Sequence, residues 1–142
     1  MSCRICAKIR GEAPAWGGAL YEDDLIYAGH GPAEEGDRDV YLGRLLVHPK
    51  RHVPGIADLH DSEALAIGLW TTRLGRALAA EHVYVFVLGH QVPHVHYHVI
   101  ARHSGTPREF WGLRVLEWPG APRGREKEVA ELCARLRKFI SR

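Results

Sequence analysis

Three histidines alternate along His94-Val95-His96-Tyr97-His98-Val99-Ile100. An extended chain has a side-chain period of two. In a strand, His94, His96 and His98 would therefore share one face, and Val95, Tyr97 and Val99 the other. The second face is apolar and can pack under a helix, which leaves three imidazoles on the open side. Imidazole titrates near pH 6.5 and can be a neutral nucleophile or a protonated acid near neutrality. Such a row can divide labour among nucleophile, acid and structural ligand. Two other readings stay open on spacing alone, a His-rich surface strand and a metal site made of the row itself. The apolar back face argues against accidental surface histidines.

A second group stands at the N-terminus. Cys3 and Cys6 form a Cys-x-x-Cys pair among only three cysteines. An odd count and the absence of a secretory leader suit a reducing compartment, where such a pair points to metal or redox chemistry. The spacing is common for Zn²⁺. A redox pair usually follows a strand and opens a helix, and residues 1 to 6 have no strand before them, which favours metal. The third cysteine, Cys133, lies on an apolar helical stripe and reads as a core residue.

Several elements must hold these groups in place. Leu20 to Ala28 reads as extended, with Glu22, Asp23 and Asp24 able to turn a hairpin. Gly29 to Asp39 reads as a loop. Val40 to Val47 reads as a strand stopped by Pro49, which cannot donate to a ladder. A helix is expected over Ser62 to Glu81, capped by Asp58 or Asp61, with Ile67, Trp70, Leu74 and Leu78 on one face. Val83 to Leu88 reads as a central strand ended by Gly89, and Pro93 to Arg102 as the strand that carries the histidines. Ser104 to Gly124 reads as an irregular excursion with a short extended piece near Leu113 to Trp118. Glu126 to Ile140 closes the chain as a helix, with Val129, Leu132, Cys133, Leu136 and Ile140 on one stripe. Long helices beside several strands predict an α+β fold, a mainly antiparallel sheet with a long helix packed on it and a C-terminal helix.

Composition narrows the functional classes. At 142 residues the chain has the usual size of a single domain. A net charge of +2 without a basic run speaks against a nucleic-acid partner. No stretch approaches the roughly 20 apolar residues of a membrane span, and the N-terminus lacks a signal-like apolar core. The expected location is therefore the cytoplasm.

The pattern His-φ-His-φ-His-φ-φ, with φ apolar, resembles the signature of the histidine-triad (HIT) superfamily throughout His94 to Ile100. Leu45 to Val53, with Pro49-Lys50-Arg51-His52, resembles the family's strand ending in Pro-Lys-Arg-His. Cys3 and Cys6, followed by Lys8 and Gly11, resemble the start of its zinc-containing members. The resemblance implies one HIT domain over residues 1–142, with the core in 1–102 and a divergent C-terminal extension in 103–142. It also implies a homodimer.

By the same resemblance, His96 is the nucleophile that attacks the α-phosphorus of a nucleotide and forms a nucleotidyl-histidine, which water then cleaves. His98 contacts the phosphate oxygens and the leaving group. Cys3, Cys6, His52 and His94 are the implied ligands of a structural Zn²⁺. Gln91 matches a polar position near the leaving group, and His90 adjoins it. Arg44 stands where many members carry histidine and could bind phosphate, although an arginine near a strand end is commonly a solvated charge. Leu88 to Pro93 is shorter than the glycine-rich loop of many members. The implied substrates are dinucleoside polyphosphates or nucleoside phosphoramidates. A nucleotide-binding or interaction protein with negligible turnover is the alternative. His30, His48, His60, His82 and His103 read as surface residues or ordinary polar packing.

Overall fold

The computed structural model describes residues 3–142. Its elements in chain order are α1 (Arg4–Ile9), β1 (Ala19–Glu22), β2 (Ile26–His30), β3 (Val40–Tyr41), β4 (Arg44–Pro49), α2 (Asp61–Leu78), β5 (His82–Phe86), β6 (Tyr97–Arg102), β7 (Arg123–Gly124) and α3 (Glu126–Ile140). Short 3₁₀ turns cover Ile56–Asp58, Arg108–Phe110 and Gly112–Glu117. One antiparallel sheet runs β1-β2-β4-β6-β5, and β3 pairs with β7 in a separate ribbon. The fold is α+β, as expected. No helix among the described residues is long and apolar enough to cross a membrane.

Local chemistry explains the main turns. The Asp23 carboxylate accepts the Leu25 and Ile26 amides at 2.8 and 2.9 Å, an Asx turn that closes the β1–β2 hairpin. Glu63 accepts the His60 amide at 2.7 Å, which satisfies a donor at the start of α2. His60 is the N-cap, while Asp61 is the first helical residue and Asp58 lies in the preceding turn. At the other end Ala79 takes a left-handed conformation, φ +49°, and stops the helix three residues short of the span expected from sequence.

The sheet has two unlike faces. On one, Ile26, Ala28, Leu45, Val47 and Val99 meet Ile67, Trp70 and Leu74 of α2 and Val129, Leu132, Cys133 and Leu136 of α3. Complete burial of each large aliphatic side chain contributes about 1.5–3 kcal/mol. Leu46 pairs with His98 and Arg44 with Ile100, so Arg44, Leu46, His48 and His98 project to the opposite face. This face is covered at one end by α1 and at the other by the excursion after β6. There Ile100, Tyr41, Val115 and Ala121 form a second buried cluster with Tyr84, Phe86 and Trp118.

Four local expectations differ from the structure. The stretch Val40 to Val47 is broken into β3 and β4 by Gly43, whose φ of +97° suits only a residue without Cβ. β5 is an edge strand, not a central one. Its apolar residues cover the sheet end and the excursion, yet Val85 remains exposed. Regular pairing of the histidine strand begins only at Tyr97, so His94 and His96 lie on the irregular approach to β6. The piece near Leu113 to Trp118 is 3₁₀ over Gly112–Glu117, with only the cap Trp118 extended, and it buries Val115 against Ile100.

Candidate active site and metal cluster

The chain from Pro93 to His98 is organised by carbonyl acceptors. His94 is fully buried, with Nε2 2.8 Å from the Pro49 carbonyl oxygen. A carbonyl only accepts, so Nε2 carries the proton and Nδ1 presents a lone pair. The same logic holds one step on. His96 Nδ1 lies 2.7 Å from the His94 carbonyl oxygen, so Nδ1–H donates and Nε2 is the free nucleophilic nitrogen. The rings of His96 and His98 meet edge to face at 4.8 Å.

The electrostatics keep this pair neutral. Burial, the largest influence, lowers the pKa of His96 below its usual 6.5. The hydrogen bond to His94 opposes this, and the charges of Lys8, Arg44 and Arg4 add to the lowering. His98 is pushed down to about 4 by burial first, then by His96 and Arg44. Both imidazoles are thus unprotonated in the free site near pH 7.

Beside the pair lies a cavity of about 580 Å³, lined by His96 and His98 together with Arg44, His90 and Gln91. This volume falls within the range of small-molecule sites. Arg44 does not extend into solvent. Its guanidinium lies over Gly31, where a Cβ would come within 2.6–2.9 Å of Cζ, Nη2 and Nε. Nη2 donates to the Pro32 carbonyl at 3.3 Å, and Nη1 lies 3.5 Å from His98 Nδ1. Burial lowers the Arg44 pKa, while Glu34 and Asp37 at the cavity oppose that.

Cys3, Cys6, His52 and His94 converge from three segments, with their ligand atoms all within 4.8 Å of one another. Cys3 is the N-cap of α1 and accepts the Cys6 amide at 3.4 Å through its sulfur. The pair therefore does open a helix, yet both thiols face imidazoles. Sγ–Nδ1 distances are 3.6 Å for Cys3–His94, 3.5 Å for Cys6–His94 and 3.4 Å for Cys6–His52. Zn–S and Zn–N bonds of about 2.3 and 2.05 Å in a tetrahedron imply an S···N edge of about 3.6 Å, so the donor set fits a metal. The Pro49 carbonyl holding His94 Nε2–H is the outer-shell bond that such a ligand usually makes.

Sequence reasoning missed three features. Arg51, within the Pro-Lys-Arg-His run, binds buried Glu63 through two hydrogen bonds of 2.8 and 3.1 Å. That bond ties the His52 loop to α2, and Glu63 three residues after a helix cap was the available signal. His48 and His30 are buried rather than on the surface. His48 stacks on Tyr27 at 5.5 Å and meets His94 edge-on at 5.5 Å, and its Nε2 has no partner among the described residues. Lys8 is buried on α1, its ammonium 4.9 Å from the Tyr27 ring centroid, and burial, with Arg44 adding, brings its pKa to about 8. Ile5 and Lys8, three apart on one helical face, were the only sequence sign of this.

Comparison with known proteins places this arrangement. A zinc-bound histidine-triad family protein from Mycobacterium smegmatis shares the fold at a TM-score of 0.71 and 23% identity, over 99% of this chain and 94% of that one. A hypothetical histidine triad nucleotide-binding protein from Sulfolobus tokodaii aligns at 0.71 and 23%, over 98% and 92%. A HIT family hydrolase from Clostridium thermocellum aligns at 0.56 and 20%, over 75% and 96%. No curated protein matches the sequence. The model of the HIT domain matches residues 19–105, more than half of the chain and including all three alternating histidines. The chain therefore belongs to the HIT domain family.

Proposed function

We propose that the protein cleaves nucleotides at the α-phosphate, with His96 as nucleophile and His98 and Arg44 holding phosphate oxygens. The observation that carries this reading is the His94 carbonyl, which holds His96 Nδ1–H at 2.7 Å and frees Nε2 beside the cavity. In the first step Nε2 attacks phosphorus and a P–N bond forms. The P–O or P–N bond to the leaving group breaks, and that group departs with the electron pair and takes a proton from solvent water. Water then attacks the same phosphorus, the bond to His96 breaks, and the nucleoside monophosphate leaves. Two steps replace one difficult displacement.

Dinucleoside polyphosphates and nucleoside phosphoramidates supply suitable leaving groups. Gln91 and His90 border the cavity on the loop before the triad and are proposed to face the leaving group. The hydrolase and nucleotide-binding designations of the Clostridium and Sulfolobus relatives support the class of reaction. Cys3, Cys6, His52 and His94 are proposed to hold one structural Zn²⁺. The metal would join α1 to the strand approach and thereby fix the carbonyl that orients His96.

The test is mass spectrometry of the protein after brief reaction with a panel of nucleotide anhydrides, esters and phosphoramidates. One acid-labile nucleoside monophosphate is expected on the peptide containing His96. His96→Ala should lower turnover about a thousandfold or more and form no adduct. Undiminished turnover by that variant would exclude His96 as nucleophile.

A further inference from the structure

One charged side chain in the cavity takes no part in the chemistry above. Lys8 is only 8% exposed, yet it lines the cavity together with His96 and His98. Its ammonium has no carboxylate within 4.0 Å among the described residues. The two acids bordering the cavity are engaged elsewhere. Glu34 pairs with Arg4 at 3.4 Å, and Asp37 accepts the Glu34 amide at 2.9 Å. The neighbours of Lys8 are the face of Tyr27 at 4.9 Å and, as a further positive charge, Arg44. Arg44 also lacks an acid partner, and holds only the Pro32 carbonyl and the edge of His98.

The sheet register separates these cations. Tyr27, beneath Lys8, pairs with His48, whereas Arg44 lies two residues beyond Leu46, the partner of His98. Lys8 thus stands level with His48, four residues along β4 from Arg44, so the two cations line the cavity at separate places. Burying two cations, neither held in an ion pair, against one cavity is costly in the free protein. An anionic ligand that reaches both removes the cost, and one phosphoryl group at His96 and Arg44 leaves Lys8 unmatched. We infer that Lys8 binds a second phosphate group of the ligand, so that the site selects nucleotides carrying at least two phosphates.

This assignment rests on the nucleotidyl-transfer reading for the position of the first phosphate. The second phosphate has two chemical sources, the next group of a polyphosphate chain or a phosphate ester on the sugar.

Equilibrium titration of the zinc-loaded full chain with four probes separates them: adenosine 5′-monophosphate, α,β-methylene adenosine diphosphate, adenosine 3′,5′-bisphosphate and inorganic pyrophosphate. At least one bisphosphate should bind roughly ten- to hundredfold more tightly than the monophosphate, as a charge-assisted hydrogen bond provides. An advantage of the methylene analogue assigns the polyphosphate chain, and one of the 3′,5′-bisphosphate assigns the sugar ester. Lys8→Met should abolish that advantage and weaken pyrophosphate, while Lys8→Arg keeps part of both. The proposal is overturned if neither bisphosphate exceeds the monophosphate on the unmodified protein, a comparison that needs no variant to fold. It is equally overturned if folded Lys8→Met retains the advantage. None of these titrations requires turnover. A Lys8-dependent advantage without any His96 adduct would uphold the second-phosphate site and reject the covalent mechanism.

Discussion

The two ends of the histidine-bearing sheet face are covered by different physics. At the α1 end the lid is six residues long and buries a lysine, and thiols and imidazoles converge there. At the far end the excursion after β6 lays Val115, Ala121 and Trp118 on Ile100, Tyr84, Phe86 and Tyr41. An isolated helix of six residues is not stable by itself, so its position depends on what it meets, Cys3 and Cys6 beside His52 and His94 and the buried side chains of Ile5 and Lys8. The far lid depends on area removed from water. The cavity lies between them, bordered by Lys8 on one side and Leu116 on the other. A small domain can thus enclose a polar site without surrounding it with core. One wall gathers thiols and imidazoles and carries Lys8, and the other is packed from apolar side chains.

The strongest way to break this contrast is to remove the donors. Cys3→Ser with Cys6→Ser should abolish metal retention and lower the melting temperature by about 10 °C or more, given that structural zinc contributes folding energy. Elemental analysis and thermal melts with and without a chelator read both effects. Retention of about one zinc per chain by the double variant would remove the site. Val115→Ala, at a fully buried position, should cost about 1–3 kcal/mol. Its loss should be the same with and without chelator, while metal content stays unchanged.

A smaller effect is expected at the cationic side of the cavity. Gly31→Ala places a methyl where the Arg44 guanidinium lies. A flexible side-chain end can move away, so denaturant unfolding should change by less than about 1 kcal/mol. Binding of phosphate ligands should weaken by about tenfold as Arg44 leaves its place. Unaltered binding would show that Arg44 contributes nothing from that position.

The smallest expected effect is a shift in pH dependence. Neutral His96 attacks and its protonated form cannot, so the adduct-forming rate should be full above the His96 pKa and fall below it. That pKa is lowered by burial and by Lys8, Arg44 and Arg4, so in the free protein the acid limb should lie below pH 6.5. Arg44→Met removes one of those charges and should move the midpoint upward, toward 6.5. A profile of single-turnover adduct formation under subsaturating substrate measures both. A midpoint that moves down in the variant would contradict the sign.

The two lids were not equally legible in the sequence. Helices α2 and α3 could be read because their apolar residues recur at helical spacing over about three turns each. The triad could be read because its alternation persists in space, with Tyr97 and Val99 turned to the α2 side and His98 to the cavity. The packed lid could not be read. Leu113 to Trp118 has strand-like composition, but its path is set by the single burial of Val115 on a distant strand. Strand β5 misled in the same way, because Tyr84 and Phe86 serve the underside of the excursion at the sheet edge while Val85 stays exposed. Lys8 at the cavity and His48 buried beside it look like solvent-facing residues until β2 and β4 are placed beneath α1.

The histidine strand also has an even-odd constraint. Within β6, from Tyr97 onward, the face a side chain takes depends on whether its number is even or odd. Lengthening or shortening Leu88 to Pro93 moves no member of the row across the sheet, so that loop can vary in length while the triad keeps its orientation. One residue inserted between Tyr97 and His98 would change the parity of His98 relative to His96, so that the two imidazoles could no longer share the cavity face. The loop is therefore open to drift in steps of any size, whereas the row tolerates insertions only in pairs.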